Sequence, residues 1–286
     1  MIYALVTLYN PDIKVVENVR RIAKQVRYVY LYDNSEIDYG DLFENEENVI
    51  YFHSIKNVGI PLAFNSILKK NIFQENDYIC FFDQDSHIAD KQIETLLEFY
   101  RKLTELGVKI GAIGPAYFNK SSGHYEIPRI KKRITDNCYE VESIITSSMV
   151  CRYAVLKEIG FWSENLFLDC ADWDLCWRLK AQEYITVLVT GVPFQHVVGN
   201  GQKKIGCVAI RKSTEIRSYY RTRDQMYLIN ERYTPMRNKI RMIMDVTFGN
   251  AMKILFLENK RLRYMYIRRG VNDYRKGIHG EFRENE

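Results

Sequence analysis

Short apolar runs alternate with amphipathic segments along the first two-thirds of the chain. The runs Ile2 to Leu8, Tyr28 to Tyr32 and Val49 to Phe52 have the length and the aromatic and β-branched content of buried strands. Between the first two, residues 13–25 place apolar side chains at helical spacing with basic residues between them. This β-α-β order predicts a doubly wound α/β sheet with right-handed crossover connections.

A fourth apolar run, residues 78–82, ends abruptly in Asp83, Gln84 and Asp85. If this run is a strand of a parallel sheet, the two acids lie at its carboxyl end, where open α/β sheets bind ligands. Two carboxylates one residue apart suit a divalent cation that holds a diphosphate. A lone Asp-x-Asp pattern is weak, and taken alone it more often starts a turn and caps a helix, here one that begins near Asp90.

Polar residues also follow other predicted strands. Asp33 either accepts a hydrogen bond from a nucleotide base or ribose, or simply forms a turn. Asn57 and Gly59 precede a predicted helix and either let the backbone approach a ligand or cap that helix. His196 ends an apolar run before the glycine-rich segment 197–201, which favours a phosphate or metal contact, although a lone histidine is more often structural.

A second acidic segment places Asp169, Asp172 and Asp174 around the predicted start of a helix. Acids in a first helical turn are favoured by the helix dipole, so capping alone accounts for them. The functional alternative is a general base, because a carboxylate at this position stays ionised and accepts a proton from a hydroxyl group.

The segments that surround these motifs are less regular. Residues 119–140 are polar and basic without a clear period, which predicts a mobile loop over a cleft or toward an acceptor. Ser147 and Ser148 either line the acceptor side or mark an ordinary strand break.

The charge of the 286-residue chain is uneven, with a net +5 and most of the excess in the last quarter. From residue 219 onward, basic and apolar side chains interleave, which predicts two or three amphipathic helices with a break near residues 258–259. Contact with a membrane surface is the preferred interpretation, and packing on the preceding domain or on another copy is the alternative. No nucleic-acid-binding module accompanies the charge, so nucleic acid is not an expected partner.

The remaining composition points to a reducing compartment. None of the 6 cysteines forms a Cys-x-x-Cys pair, and several lie inside apolar runs, as buried thiols do. We expect no signal peptide and no membrane span, because no window approaches the ~20 apolar residues that a span needs.

Taken in order, the motifs resemble glycosyltransferase family 2, whose members have a GT-A fold, over about residues 1–230. Three features are most similar to the bacterial rhamnosyltransferase branch, which builds O-antigens, capsules and rhamnose-rich cell-wall polysaccharides. They are the Asp-Gln-Asp-Ser form, the Phe167-x-Asp169-x-x-Asp172 pattern and a Tyr-Tyr-x-x-Arg element. The matched motifs are Thr7-Leu8-Tyr9-Asn10, Asp33-Asn34-Ser35, Asn57-x-Gly59 with Ala63-x-Asn65, Asp83-Gln84-Asp85-Ser86, Asp172 to Arg178, His196-x-x-Gly199 and Tyr219-Tyr220-Arg221-Thr222-Arg223.

This resemblance implies a role for each matched acid. Asp33 would contact the donor's pyrimidine base, Asp83 the ribose or a metal-bound water, and Asp85 a Mg²⁺ or Mn²⁺ ion. Asp172 would be the general base, with Asp174 as a rival because Ala171 stands where many members have glutamate. The remaining implied residues are Thr7, Tyr9, Asn10, Asn57, Gly59, Asn65, Gln84, Arg221 and Arg223 for the nucleotide sugar, His196 for the metal or diphosphate, and Ser147, Ser148 and Trp173 on the acceptor side.

The expected architecture is a GT-A domain over 1–220, with a Rossmann-like, doubly wound mixed sheet, and a basic helical extension over 221–286. The expected activity is inverting transfer of L-rhamnose from dTDP-β-L-rhamnose to a lipid-linked saccharide. A UDP-sugar donor (galactofuranose or a hexose) and a catalytically silent nucleotide-sugar-binding subunit are the alternatives. The expected location is cytoplasmic and peripheral on the inner face of the bacterial cell membrane, and a homodimer is left open.

Overall fold

The computed structural model describes residues 1–119, 124–192, 194–196, 202–205, 208–211 and 213–283. The described strands are β1 (Ile2–Leu8), β2 (Tyr28–Asp33), β3 (Val49–His53), β4 (Tyr78–Asp83), β5 (His87–Ile88), β6 (Ile110–Pro115), β7 (Tyr117–Asn119), β8 (His124–Glu126), β9 (Ile130–Arg133), β10 (Cys138–Val141), β11 (Met149–Arg152), β12 (Ile185–Val189), β13 (Phe194–His196), β14 (Gln202–Ile205) and β15 (Val208–Arg211). The described helices are α1 (Ile13–Ala23), α2 (Gly59–Leu68), α3 (Gln92–Glu105), α4 (Tyr153–Glu158), α5 (Ala171–Ala181), α6 (Glu215–Asn230), α7 (Met236–Met244), α8 (Asn250–Phe256) and α9 (Lys260–Arg275), with a 3₁₀ turn at Gly40–Phe43 and a π-helical turn at Asp245–Gly249.

A nine-stranded mixed sheet forms the centre, in the order β3-β2-β1-β4-β11-β6-β12-β10-β9. The first four strands are parallel, β11 runs antiparallel between β4 and β6, and β12 is again parallel to β6. A smaller sheet has the order β5-β13-β7-β8, and β14 pairs with β15. The prediction of a doubly wound mixed α/β sheet is confirmed.

Helices cover both faces of the central sheet, which explains why its inner strands are apolar throughout. On one face, α1 and α3 pack through residues such as Val16, Val19 and Leu96. On the other face, α2, α4 and α5 pack through residues such as Phe64 and Leu175. Each inner strand therefore buries two faces, and burial of apolar surface on both sides stabilises the sheet.

The segment 119–140, predicted as a mobile loop, contains β8, β9 and β10 in its described part, so that prediction is wrong. Residues Ile130–Arg133 form the edge strand β9, and all four are exposed. An edge strand of this kind carries charged residues and shows no apolar alternation, because neither face joins the core and charge discourages pairing with other chains. Residues 120–123 lie outside the described part of the chain.

The basic C-terminal region is partly built into the domain. Helix α9 packs along α6, with Arg263, Ile267 and Asp273 buried. Gly270 allows this close approach, because an added Cβ would lie 2.7 Å from the Tyr219 carbonyl oxygen. The expected boundary after residue 220 falls inside α6, which spans Glu215–Asn230.

A buried ion pair on α6 fixes the loop that precedes α5. Arg223 and Asp224 have no exposed surface, and Arg223 Nε lies 3.1 Å from Asp224 Oδ1. Asp224 Oδ2 accepts hydrogen bonds from the backbone N–H groups of Phe167 at 3.0 Å and Leu168 at 3.5 Å. Burial raises the pKa of Asp224 to about 6, although Arg223 and the Phe167 N–H oppose that rise.

We expect Asp224→Asn to lower the free energy of unfolding by about 3 kcal/mol, because it leaves the buried Arg223 guanidinium without a counter-charge. Urea unfolding measures this loss. The double variant Arg223→Met/Asp224→Asn removes the stranded charge and should recover part of the stability. Equal losses in the single and double variants would contradict a stabilising role for this pair.

Candidate active site

Three loops meet at the carboxyl ends of β1, β2 and β4. Strand β1 lies between the other two, with Leu8 opposite Asp33 and Thr7 opposite Asp83. Because the three strands are parallel, the loops that follow them open at the same edge of the sheet. The nearly buried Thr7 therefore lies at the base of this edge, beneath the predicted donor site.

Gln84 joins two of these loops. Its Oε1 accepts a hydrogen bond from Tyr9 N at 2.8 Å, and its Nε2 donates to Tyr9 O at 3.1 Å. Asn18 Nδ2 also donates to Gln84 O at 3.0 Å. Gln84 thus fixes the turn between Asp83 and Asp85 against the loop after β1, while the Tyr9 side chain remains exposed.

Asp33 is fully buried and organises the loop after β2. Its carboxylate accepts hydrogen bonds from the backbone N–H and hydroxyl of Ser35 and from Tyr51 Oη at 2.7 Å. Ser35 Oγ in turn accepts a hydrogen bond from Asn10 N at 2.7 Å. Both Asp33 oxygens are engaged within the protein, and contact with a nucleotide base stays a prediction.

The first turn of α2 contacts the loop before α5. Gly59 has φ +80°. A larger residue does not fit there, because its Cβ would lie 2.4 Å from the Phe167 carbonyl oxygen. Asn57 Oδ1 accepts a hydrogen bond from Gly59 N at 3.0 Å, and Ile60 N donates to Phe167 O at 2.9 Å. The backbone at Gly59 therefore passes close to Phe167, and its contact with a ligand stays a prediction.

Asn65 is buried and holds the segment after α4. Its side chain accepts from Trp162 N at 3.0 Å and donates to Trp162 O at 2.9 Å and Glu164 Oε1 at 2.8 Å. These bonds engage both ends of the Asn65 amide within the protein and give the residue a structural role. Its contact with the donor stays a prediction.

Carboxylates from β4 and from α5 lie near each other. Asp83 is half-buried and Asp85 exposed at the end of β4, while Asp172 begins α5. Burial raises the pKa of Asp172 to about 7; the hydrogen bond from Trp173 N opposes this, and the charges of Asp169 and Asp83 add to it. Acids that are almost ninety residues apart in sequence thus repel each other at one site.

Arg217 provides positive charge beside these acids. Its guanidinium binds the Asp169 carboxylate, with an Nη2–Oδ1 distance of 2.9 Å and an Nε–Oδ2 distance of 3.1 Å. Asp169, and to a lesser extent Asp83, raise the pKa of Arg217. Asp169 is buried but the Arg217 side chain is 45% exposed, so this cation is accessible to solvent.

Asp174 is excluded as the rival base. It is fully buried, Arg178 Nε donates to its Oδ2 at 2.7 Å, and Tyr233 Oη donates to its Oδ1 at 2.6 Å. A carboxylate with both oxygens occupied in the core cannot meet an acceptor hydroxyl.

Asp172 instead lines a cavity of about 470 Å³, within the range of small-molecule sites. Trp173 of α5 lies on the same wall, and Arg237 and Arg241 of α7 lie on another. Aromatic and polar side chains thus surround the carboxylate, which suits a polar ligand with hydroxyl groups.

No family model matches the chain. Over 291 residues it is 25% identical to the dTDP-rhamnosyl transferase RfbF of Shigella flexneri, covering 98% of this chain and 96% of that protein. Its structure is similar to GalNAc-T7 with UDP, GalNAc and Mn²⁺ (TM-score 0.56, 10% identity) and to residues 1–349 of S. aureus TarS (TM-score 0.54, 15% identity). The matches cover 88% and 97% of this chain, but only 57% of the GalNAc-T7 chain and 80% of the TarS chain. Both structures are GT-A glycosyltransferases.

The chain has a GT-A fold.

Arg221 and Arg223 occupy different environments. Arg221 lines the cavity, lies over the Trp173 ring at 5.9 Å and pairs with Asp245 at 2.8 Å. Arg223 Nη1 donates to Tyr219 Oη at 3.0 Å and to the Gly280 carbonyl at 2.7 Å. A fully buried guanidinium with these partners cannot reach a diphosphate, so the expected donor contact of Arg223 is corrected to a structural role.

Arg217 was missed because the sequence pattern began at Tyr219. Its position one helical turn before Arg221, on the same helix, was the available signal. The orientation of α6 against the loop of Asp169 decides which arginine pairs with that acid. The sequence of α6 alone does not predict this orientation.

Ser147 and Ser148 do not line the cavity of Asp172. Both are buried; Ser147 Oγ bonds to Ser86 Oγ, and Ser148 Oγ accepts a hydrogen bond from Gln92 Nε2 at 2.7 Å. Together they brace the turn that follows Asp83, so the expected acceptor role is replaced by a supporting one.

A divalent cation at the end of β4 stays a prediction. Among the side chains that the structure describes, no group of three or more His, Cys, Asp or Glu residues is arranged to hold an ion. Mg²⁺, however, is commonly held by one or two carboxylates plus substrate phosphates, and Asp83 and Asp85 supply that number. Strand β13 pairs with β5 and so brings the backbone of His196 near this turn, but its side chain and residues 197–201 lie outside the described part.

We expect Gly59→Ala to destabilise the protein more than Gly107→Ala. Both glycines have positive φ, +80° and +79°, so both substitutions carry about 1–2 kcal/mol of backbone strain. An added Cβ at Gly107 meets nothing within 4 Å, whereas at Gly59 it collides with Phe167. Urea unfolding compares the two variants.

The collision at Gly59 should also displace the loop of Asp169 and Asp172, so Gly59→Ala should slow transfer while Gly107→Ala should not. Equal stability and equal activity of the two variants would contradict the contact between α2 and this loop.

Proposed function

We propose that the chain is an inverting, metal-dependent rhamnosyltransferase. It moves L-rhamnose from dTDP-β-L-rhamnose to a hydroxyl of a lipid-linked saccharide during synthesis of a cell-surface polysaccharide. The observation that carries this proposal is that Asp83, in the acidic turn after β4, lies near enough to Asp172 for its charge to affect that carboxyl. Asp172 also lines a cavity, so the predicted donor side and a candidate base lie at one site. The 25% identity to a dTDP-rhamnosyl transferase over nearly the whole chain supports the choice of donor.

On the donor side, Asp85 and Asp83, with His196, would hold Mg²⁺ or Mn²⁺. Such an ion supplies positive charge that offsets the charge developing on the departing diphosphate. Arg217 adds a fixed positive charge beside Asp83 and limits the mutual repulsion of the acids. Tyr9, exposed in the loop after β1, would cover part of the nucleotide.

On the acceptor side, Asp172 takes the proton from the attacking hydroxyl. The oxygen forms a bond to the anomeric carbon as the bond from that carbon to the diphosphate oxygen breaks on the opposite face. The electron pair of the broken bond leaves with dTDP, and the β-linked donor gives an α-L-rhamnoside. A pKa of about 7 suits this task, because a base works best when its pKa is near the working pH.

We expect the wild-type protein to release dTDP from dTDP-β-L-rhamnose, slowly with water and faster with acceptor. Removal of divalent cations with EDTA and the variant Asp85→Asn should each abolish turnover, whereas Asp90→Asn, at a nearby exposed position, should not. Release of the nucleotide is measured with dTDP-rhamnose, UDP-galactofuranose and UDP-hexoses side by side. Preference for a UDP-sugar would replace the proposed donor, and metal-dependent binding without turnover would indicate a silent subunit.

We expect Asp172→Asn to lower kcat about 10²–10⁴-fold with little change in donor affinity, because it removes the proton acceptor. Asp174→Asn should destabilise the protein, since it disturbs the bonds to Arg178 and Tyr233, yet keep the kcat of the folded fraction. Steady-state kinetics and urea unfolding separate the two effects. Loss of kcat in Asp174→Asn alone would reverse the assignment.

The pKa of Asp172 also predicts how pH affects activity and stability. Activity should rise as the pH passes through about 7, or through a lower value when a bound cation favours the ionised form. Because the folded pKa lies above the ordinary value of 3.8, ionised Asp172 destabilises the fold, increasingly from about pH 4 to pH 7. Asp172→Asn should therefore raise the Tm of the metal-free protein at pH 8 and have little effect below pH 4. A lower Tm at pH 8 would contradict the raised pKa.

A further inference from the structure

Helix α7, the π-helical turn and α8 present apolar side chains to solvent. On α7 these recur at i, i+4, i+7 and i+8, which places them on one face of the helix. Further large apolar side chains follow in the turn and in α8. The apolar side chains of the whole surface are Met236, Ile240, Ile243, Met244, Phe248 and Leu255, and each is between 47% and 70% exposed.

Basic residues border this apolar face. Arg237, Lys239 and Arg241 have no carboxylate partner among the described residues. The single acid in residues 236–256 is Asp245, and its carboxylate is taken up by Arg221 at 2.8 Å and Lys253 at 3.3 Å. The surface of α7 and α8 therefore combines exposed apolar groups with unpaired positive charge.

The other side of α7 is fixed to the catalytic domain. Met242 is buried, and Asn238 Nδ2 donates a hydrogen bond to Glu142 Oε1. Both residues line the cavity of Asp172, together with Arg237 and Arg241. The apolar face thus has a set orientation, outward and beside the rim of the acceptor cavity.

We propose that the α7–α8 surface binds an anionic lipid bilayer and holds the rim of the acceptor cavity at the membrane. Apolar side chains such as Ile240 and Ile243 enter the boundary between headgroups and acyl chains, and the flanking basic groups contact lipid phosphates. In this arrangement α7 lies in the interface plane. None of the described helices combines the length and apolar content of a membrane span.

Charge favours a bilayer over a second copy of this chain. A two-fold interface through this face would bring the same patch of both copies together, and with it Arg237, Lys239 and Arg241 of each copy. Such like-charge pairs oppose association, whereas an anionic surface neutralises all three.

Lipid binding is measured by co-flotation of the full chain with vesicles of phosphatidylcholine, with or without about 30% phosphatidylglycerol. The wild-type protein should float with the anionic vesicles only. Ile240→Gln/Ile243→Gln should lower the bound-to-free ratio about tenfold or more, because two apolar side chains no longer enter the bilayer. Arg237→Gln/Arg241→Gln should weaken binding at low salt and reduce its dependence on salt.

A matched control is Ile55→Gln/Leu106→Gln, since these side chains are at least as exposed but lie outside α7 and α8. This control should float like the wild type. Absence of flotation, equal flotation of the Ile240/Ile243 variant, or a concentration-dependent dimer that this variant abolishes would each overturn the proposal.

This proposal rests on the proposed function only for the identity of the acceptor, and the two fail separately. Vesicle binding needs no transfer, and donor hydrolysis in solution needs no membrane. The Ile240/Ile243 variant should therefore hydrolyse the donor at the wild-type rate while it loses vesicle binding.

Discussion

The site depends on how Phe167 is held by two helices. Its N–H donates to the buried Asp224 carboxylate of α6, and its carbonyl accepts from Ile60 at the start of α2. Its ring stacks on Tyr220, with centroids 4.3 Å apart. A loop has no ladder partner for its backbone groups, so these bonds satisfy them and also set where the chain enters α5. The positions of Asp169 and Asp172 follow from this arrangement.

This arrangement brings like charges together. Asp172 is held in a site where burial and the charges of Asp169 and Asp83 all disfavour its ionised form. Arg217 relieves part of the repulsion through its pair with Asp169, and a divalent cation at the end of β4 would relieve more. A group held with a raised pKa beside a binding cavity is typical of sites that have been shaped for catalysis at some cost in stability.

Much of the fold could be predicted from the sequence, because its signals are local. The runs Ile2–Leu8 and Tyr78–Asp83 are apolar throughout, since both of their faces are covered, and Asp83 then marks the strand end. The exposed edge strand Ile130–Arg133 has no such signal, because it gains its structure by pairing with β10. Local pattern therefore located the sheet core and the acid turn, but not the edge.

The site was harder to predict, because several polar residues could either bind a ligand or support the structure. Asn65, Ser147 and Arg223 lie within matched motifs or near them, yet all three bond to other parts of the protein and are buried. Arg217 lies outside those motifs, yet it pairs with Asp169 and is 45% exposed. Only the packing of α6 against the loop of Phe167 distinguishes these cases, and that packing is set by contacts far apart in sequence.

The most direct test is an experimental structure of the chain with dTDP and Mn²⁺. Our account predicts that the ion and the diphosphate lie at the edge formed by β1, β2 and β4, against Asp85, with Asp172 facing the free side where the sugar's anomeric carbon would be. A nucleotide bound away from this edge, or an Asp172 carboxylate on the same side of the anomeric position as the diphosphate, would contradict it.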